Sequence, residues 1–183
     1  MFELIGKSNI KFEKDISIEK YLIKSRKIMS KKKICLIHLS SKWVNEYYNE
    51  ENLIKLINIL NEKFNLILTT DETTSSKFVS ILKTFPKINN QKFDEFNTLE
   101  NITILENLDF KNWVQAIYSS DLVITPECGC THIAALCGVT SKIIYDANNK
   151  PDMIYEEYHP WKSKHEKFYS NNKKLNLSLI KNL

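Results

Sequence analysis

The chain has 183 residues, of which 43% are hydrophobic and 26% charged, with a formal net charge of +4. That composition describes a globular protein with chain enough for one domain and a real core, and too little for two full ones. With 3 Gly and 4 Pro it is neither collagen-like nor low in complexity, no apolar run approaches the roughly 18 residues that span a bilayer, and residues 1–7 lack the basic-then-apolar pattern of a secretory leader.

Residues 1–32 are polar and charged and read as a connecting segment. Within them Ile18, Tyr21, Leu22, Ser25 and Met29 follow a helical spacing behind the cap candidate Ser17, which predicts a helix over about 17–29. From Lys33 the pattern changes. Ile34-Cys35-Leu36-Ile37-His38-Leu39 is a short apolar run, as expected of a strand covered on both faces. After the turn Ser40-Ser41-Lys42, the residues Leu53, Leu56, Ile57 and Leu60 recur as one face of an amphipathic helix. Residues 64–70 form a second predicted strand and 71–76 a loop. Phe78, Ile81, Leu82 and Phe85 mark a helix that ends near Pro86.

Residues 87–101 are polar and irregular, and Ile102-Thr103-Ile104 is a short strand. Asp109 is placed to cap a helix carrying Trp113, Ala116 and Ile117. Leu122-Val123-Ile124-Thr125 is another buried strand. Residues 127–137 read as a turn running into a helix of small residues, and 142–145 as the last strand. The tail is loop-rich and aromatic, with a final helix near 175–182. Strands alternating with helices imply parallel pairing. The expected fold is therefore α/β, a Rossmann-like doubly wound parallel sheet of about five strands. It would occupy residues 33–160, followed by a C-terminal tail over 161–183.

In open parallel sheets, ligands bind beyond the carboxyl ends of the strands. The segments that follow these strands are polar: Ser40-Ser41-Lys42, Asp71-Glu72, Glu106-Asn107-Leu108, Glu127-Cys128-Gly129-Cys130-Thr131-His132 and Asp146-Ala147-Asn148. The fourth is the most informative. Gly129 allows close approach to backbone. The amides after it open a helix, where partial positive charge favours an anion. Thr131 can donate a hydroxyl, His132 can face the same anion, and Lys42 can supply a full charge from a neighbouring turn. The plainer reading is a Glu127 cap, a relaxed turn and a packed His132.

The stretch from Ser120 to Val139, with Asp121-Leu122-Val123-Ile124-Thr125-Pro126-Glu127-Cys128-Gly129-Cys130-Thr131-His132-Ile133-Ala134-Ala135-Leu136 at its centre, resembles the signature of glycosyltransferase family 9, the ADP-heptose:lipopolysaccharide heptosyltransferases. Upstream, His38-Leu39-Ser40-Ser41-Lys42-Trp43 is similar to that family's strand ending in His, followed by hydroxyl residues, Lys and Trp. The resemblance implies the C-terminal, donor-binding half of a GT-B enzyme. It implies that Ser40, Ser41 and Lys42 contact a diphosphate and that Glu72, or Asp71, holds the ribose hydroxyls. Leu108 would line the base site, and Glu127 and Cys128 would sit beside the donor sugar and phosphates. Gly129, Cys130, Thr131 and His132 would cradle the diphosphate. The implied ligand is a nucleoside diphosphate sugar, ADP-heptose first, and the implied acceptor a glycolipid or lipopolysaccharide. No Asp-x-Asp occurs, and neither metal nor cofactor is expected.

Glu127 stands where the family carries Asp, Cys128 where it carries Thr or Ser, and Cys130 where it carries Pro or Leu. Only about one half of a GT-B enzyme is matched, so no catalytic base is assigned. The alternative is a non-catalytic nucleotide-sugar-binding module, or a split subunit that pairs with a separate acceptor-domain subunit. Two further readings come from composition. Cys128, Cys130, His132 and Cys137 are four metal-ligand types, but on a helix Cys137 points roughly 140° away from His132. All but Arg26 of the 26 basic residues are lysines. Base readout favours Arg, so residues 31–33, Lys162, Lys164, Lys167, Lys173 and Lys174 read as solvated surface and no nucleic-acid partner is expected. The expected location is cytoplasmic, peripheral at the inner membrane in the enzyme reading.

Overall fold

The computed structural model describes residues 27–160, 163–170, 174 and 178. In chain order the strands are β1 (Met29–Ser30), β2 (Ile34–His38), β3 (Asn65–Thr70), β4 (Lys87–Asn89), β5 (Thr98–Leu99), β6 (Ile102–Glu106), β7 (Leu122–Pro126), β8 (Thr140–Tyr145) and β9 (His165–Tyr169). The helices are α1 (Glu50–Lys63), α2 (Glu72–Ser75), α3 (Val79–Thr84), α4 (Phe110–Tyr118), α5 (Gly129–Leu136) and α6 (Pro151–Tyr158). A π-turn covers Trp43–Tyr47 and a 3-10 segment Asn90–Glu95.

Among the described residues seven strands form one sheet in the order β4-β6-β3-β2-β7-β8-β9, and every pairing in it is parallel. β1 and β5 make a separate two-stranded parallel piece. The expected class is therefore correct, and the expected five strands become seven. β4 and β9 are the additions. The sheet continues past residue 160, where the sequence placed its end, because Ser141 through Tyr145 pair in register with His165 through Tyr169. The predicted helix over 17–29 fails at its end, where Met29 is in β1; residues 17–26 lie outside the described residues, as does most of the helix expected near 175–182. Residues 71–76 are not a plain loop. Asp71 accepts from Thr74 N and the Thr74 hydroxyl reaches back, a capping box that winds α2.

Side chains alternate across β2, and this divides the core into two layers. Cys35 and Ile37 join Leu53, Leu56, Ile57 and Leu60 of α1, together with Trp43, Tyr47 and Ile81. Ile34 and Leu36 join Val114, Ala116 and Ile117 of α4 with Cys130 and Ala134 of α5. The four α1 side chains are sealed from solvent, and each such burial contributes roughly 1.5–3 kcal/mol. Asn49 caps α1 by accepting from Asn52 N. Glu50, in its first turn, accepts from Ser80 N at 2.8 Å and Ile81 N at 3.0 Å, so α1 satisfies the orphan amides of α3. Among the described residues no helix is long and apolar enough to cross a membrane.

Candidate functional site

From β2 the chain first builds the sheet toward β4, then returns to add β7, β8 and β9 on the other side. The direction therefore reverses between β2 and β7. At such a switch point the loops leaving neighbouring strands diverge and open a crevice. Two groups of candidate residues flank it.

The first follows β2 and β7. Ser40 and Ser41 are half-buried in the turn after β2, and the Ser40 hydroxyl accepts from Lys42 N at 3.3 Å. Trp43 is fully buried, and its indole N–H donates to the His38 carbonyl at 2.8 Å, which folds the turn back on the strand end. The π-turn that follows is closed by Tyr48 N donating to Trp43 O. Lys42 is thereby aimed across the switch point. Its ammonium is ion-paired with the Glu127 carboxylate and donates to the Glu127 carbonyl at 3.1 Å. Glu127 in turn is tied to β8, its N–H donating to Ile144 O at 3.0 Å.

Glu127 does not cap α5. Cys128 holds the cap position, and its side chain makes no capping bond. Gly129 is exposed, and a Cβ built on it meets nothing within 4 Å, so the helix start is open. His132 is exposed one turn in, which excludes the packed-core alternative. Thr131 differs from expectation. It is buried, and its hydroxyl donates to Cys128 O at 2.8 Å, so it braces the turn and is not free to donate to an anion. The Cys130 side chain is buried in the core, which leaves only its backbone to the site. Burial pushes the Cys128 thiol up, against the opposing hydrogen bond from Thr125, and pushes Cys130 up well beyond the ordinary thiol range. The four metal-ligand types are also dispersed, with Cys130 and Cys137 buried and His132 exposed. Among the described residues no group of three could hold a metal ion.

The second group lies on the other side of β2. A cavity of about 320 Å³ is lined by His38, Thr69, Thr70, Asp71, Leu105, Leu108, Phe110 and Trp113. It brings together Leu108, expected at the base, and Asp71, the alternative to Glu72 for the ribose. Glu72 opens α2 immediately after Asp71. Asp71 is already engaged, accepting from Thr73 Oγ1 at 2.6 Å and from Thr74 N at 2.9 Å. Although burial alone would raise it, these bonds hold its carboxyl below the usual range. Asn107 adopts φ 52°, the left-handed turn that carries the chain from β6 round to Leu108.

The other lining residues received no site role from the sequence, and three of them carry rings: His38, Phe110 and Trp113. His38 Nδ1 is 3.0 Å from Thr69 Oγ1, and its ring lies 5.4 Å from that of Trp113. Burial lowers its pKa to about 4, opposed by Asp71, so the imidazole is neutral at neutral pH. Phe110 is 65% exposed at the first position of α4, 6.2 Å from Trp113 ring to ring. In the sequence Phe110 shares the helical spacing of Trp113 and Ile117, so nothing in the pattern told its exposed ring from a core residue.

Neither a protein-family model nor a curated protein sequence matches the chain. Solved structures do. The glycosyltransferase family 9 protein of Veillonella parvula superposes with a TM-score of 0.58 at 11% identity, covering 84% of this chain and 39% of that one. The E. coli heptosyltransferase WaaC with ADP superposes with a TM-score of 0.64 at 10% identity, covering 95% of this chain and 49% of that one. WaaC with ADP-2-deoxy-2-fluoro heptose gives 0.63 at 11% identity, with 97% and 50% covered. The chain thus spans two fifths to one half of the length of these structures. In fold, it resembles half of a GT-B glycosyltransferase of family 9.

Proposed function

We propose that the chain binds a nucleoside diphosphate sugar at the switch point, as the donor-binding half of a heptosyltransferase-like glycosyltransferase. One observation carries the reading. The Lys42 ammonium, delivered by the turn after β2, lies against Glu127 directly before the open start of α5. A flexible cation beside an open helix start suits a diphosphate. The cavity on the other side of β2 offers Leu108, Phe110 and Trp113 to a flat base and Asp71 to ribose hydroxyls. ADP-heptose is the first choice of ligand, because WaaC was solved with ADP and with an ADP-heptose analogue. In transfer, a site that neutralises the departing diphosphate lowers the barrier. The acceptor would be a glycolipid or lipopolysaccharide, presented by an acceptor domain.

Thermal shift and calorimetry with ADP, UDP and GDP test the reading. ADP should stabilise the chain most. Equal, negligible shifts for all three would overturn it. Binding of ADP-heptose without turnover when an acceptor is supplied would favour a nucleotide-sugar-binding module instead.

A further inference from the structure

We infer that Glu127 acts as an internal counter-ion that locks the phosphate seat, so that an entering diphosphate must first break the Lys42–Glu127 pair. This rests on the proposed reading of the site and adds to it a residue that sets how tightly bare phosphates are held.

Lys42 is the cation the turn after β2 presents to the switch point, and among the described residues both its partners belong to Glu127: the carboxylate and, at 3.1 Å, the carbonyl. The lysine is held twice by one residue. The pair is only partly shielded, with side chains 31% and 21% exposed, so water and ligand can reach it. Glu127 is itself fixed, because its N–H is bound to Ile144 O across to β8. An anion at the start of α5 therefore meets a lysine whose charge is already neutralised, next to a carboxylate that repels it. Binding has to exchange one anionic partner of Lys42 for another, and the net gain is the difference between the two.

A lock differs from plain repulsion in one respect. Repulsion by Glu127 acts whether or not residue 42 is a cation. A lock exists only while Lys42 is there to be held. A double-mutant cycle separates the two. Affinities of the full chain for inorganic pyrophosphate and for ADP would be measured by calorimetry for the wild type, Glu127→Gln, Lys42→Met and the double variant. Far-UV circular dichroism would check that each is folded. Glu127→Gln should bind pyrophosphate tighter by roughly threefold or more, the range of a partly exposed ion pair. Lys42→Met should bind it more weakly, and Glu127→Gln should add nothing in that background. The same gain in both backgrounds would reduce Glu127 to a repelling charge and overturn the lock. No gain in either background would overturn it too. If the wild type binds ADP and the cycle shows no coupling, the lock falls and the nucleotide site stands. If no variant binds ADP or pyrophosphate, the phosphate seat falls with it.

Discussion

Trp43 donates its indole N–H to the carbonyl of His38 at 2.8 Å, closing the turn after β2 onto the strand that precedes it. The bond joins the two halves of the candidate site, because His38 lines the cavity and Trp43 adjoins Lys42. Trp43→Phe removes the donor and part of a buried ring. It should cost about 1–3 kcal/mol of stability, read from urea unfolding. It should also weaken ADP binding more than Tyr48→Phe, which leaves that bond in place.

Lys42→Ala and His132→Ala should each weaken ADP binding by roughly fivefold to twentyfold, the range of a charge or donor on a phosphate. Lys55→Ala, which removes an exposed lysine paired along α1 with Glu51, is the control. Calorimetry that found equal affinities for all three variants would place the phosphates elsewhere.

Gly129→Ala separates folding from binding. The added methyl meets nothing within 4 Å, and alanine is the better helix former. Melting temperature should hold or rise slightly. Pyrophosphate affinity should fall, since the methyl would stand where the ligand approaches. Unchanged affinity would show that nothing docks on the open turn.

Phe110→Ala tests the cavity alone. The ring is 65% exposed, so its loss should barely alter stability. Stacking on an aromatic ring contributes about 1–3 kcal/mol per base. ADP should therefore bind at least several-fold more weakly while pyrophosphate binds as before. Parallel losses for both ligands would contradict a base in this cavity.

His38 gives stability a pH dependence. In the unfolded chain it takes up its proton near 6.5, in the folded one only near 4. Between those values the unfolded state binds more protons, so stability falls as pH drops from about 6.5 toward 4 and levels off below. Because the ring is half-buried rather than sealed from water, the loss should be about 2 kcal/mol. His38→Gln should flatten that part of the urea-midpoint profile. An equally steep profile in the variant would assign the dependence to other groups.

The elements legible in the sequence were those with a burial signature. β2, β3, β6 and β7 are covered on both faces and appear as apolar runs, and α1 shows its buried stripe. The missed elements are peripheral. β4 reads Lys-Ile-Asn with only its middle residue partly covered, and β9 carries His165, Glu166 and Lys167. No residue of α6 is fully buried, so no stripe marks it; its signal was Pro151 at the first helical turn, the position where proline is most at home. At the site, the position of Lys42 relative to α5 was foreseeable from strand order. The ion pair with Glu127 was not, because it depends on how Trp43 folds the turn. The hydroxyl of Thr131 was misassigned because its role depends on a carbonyl three residues back. Nothing in residue type told that bond apart from a free donor.

The two margins of the large sheet, as the described residues form it, have a further consequence. β4 is only three residues long, and Lys87 there pairs with Glu106 at 2.9 Å. At the opposite margin Glu166 and Lys167 are exposed, the first reaching Lys142 and the second Asp152. Short, charge-bearing borders deter another polypeptide from adding itself as an extra strand. Growth of the sheet by stacking copies side by side is therefore disfavoured at both ends, and concentrated solutions should resist fibril formation along those borders.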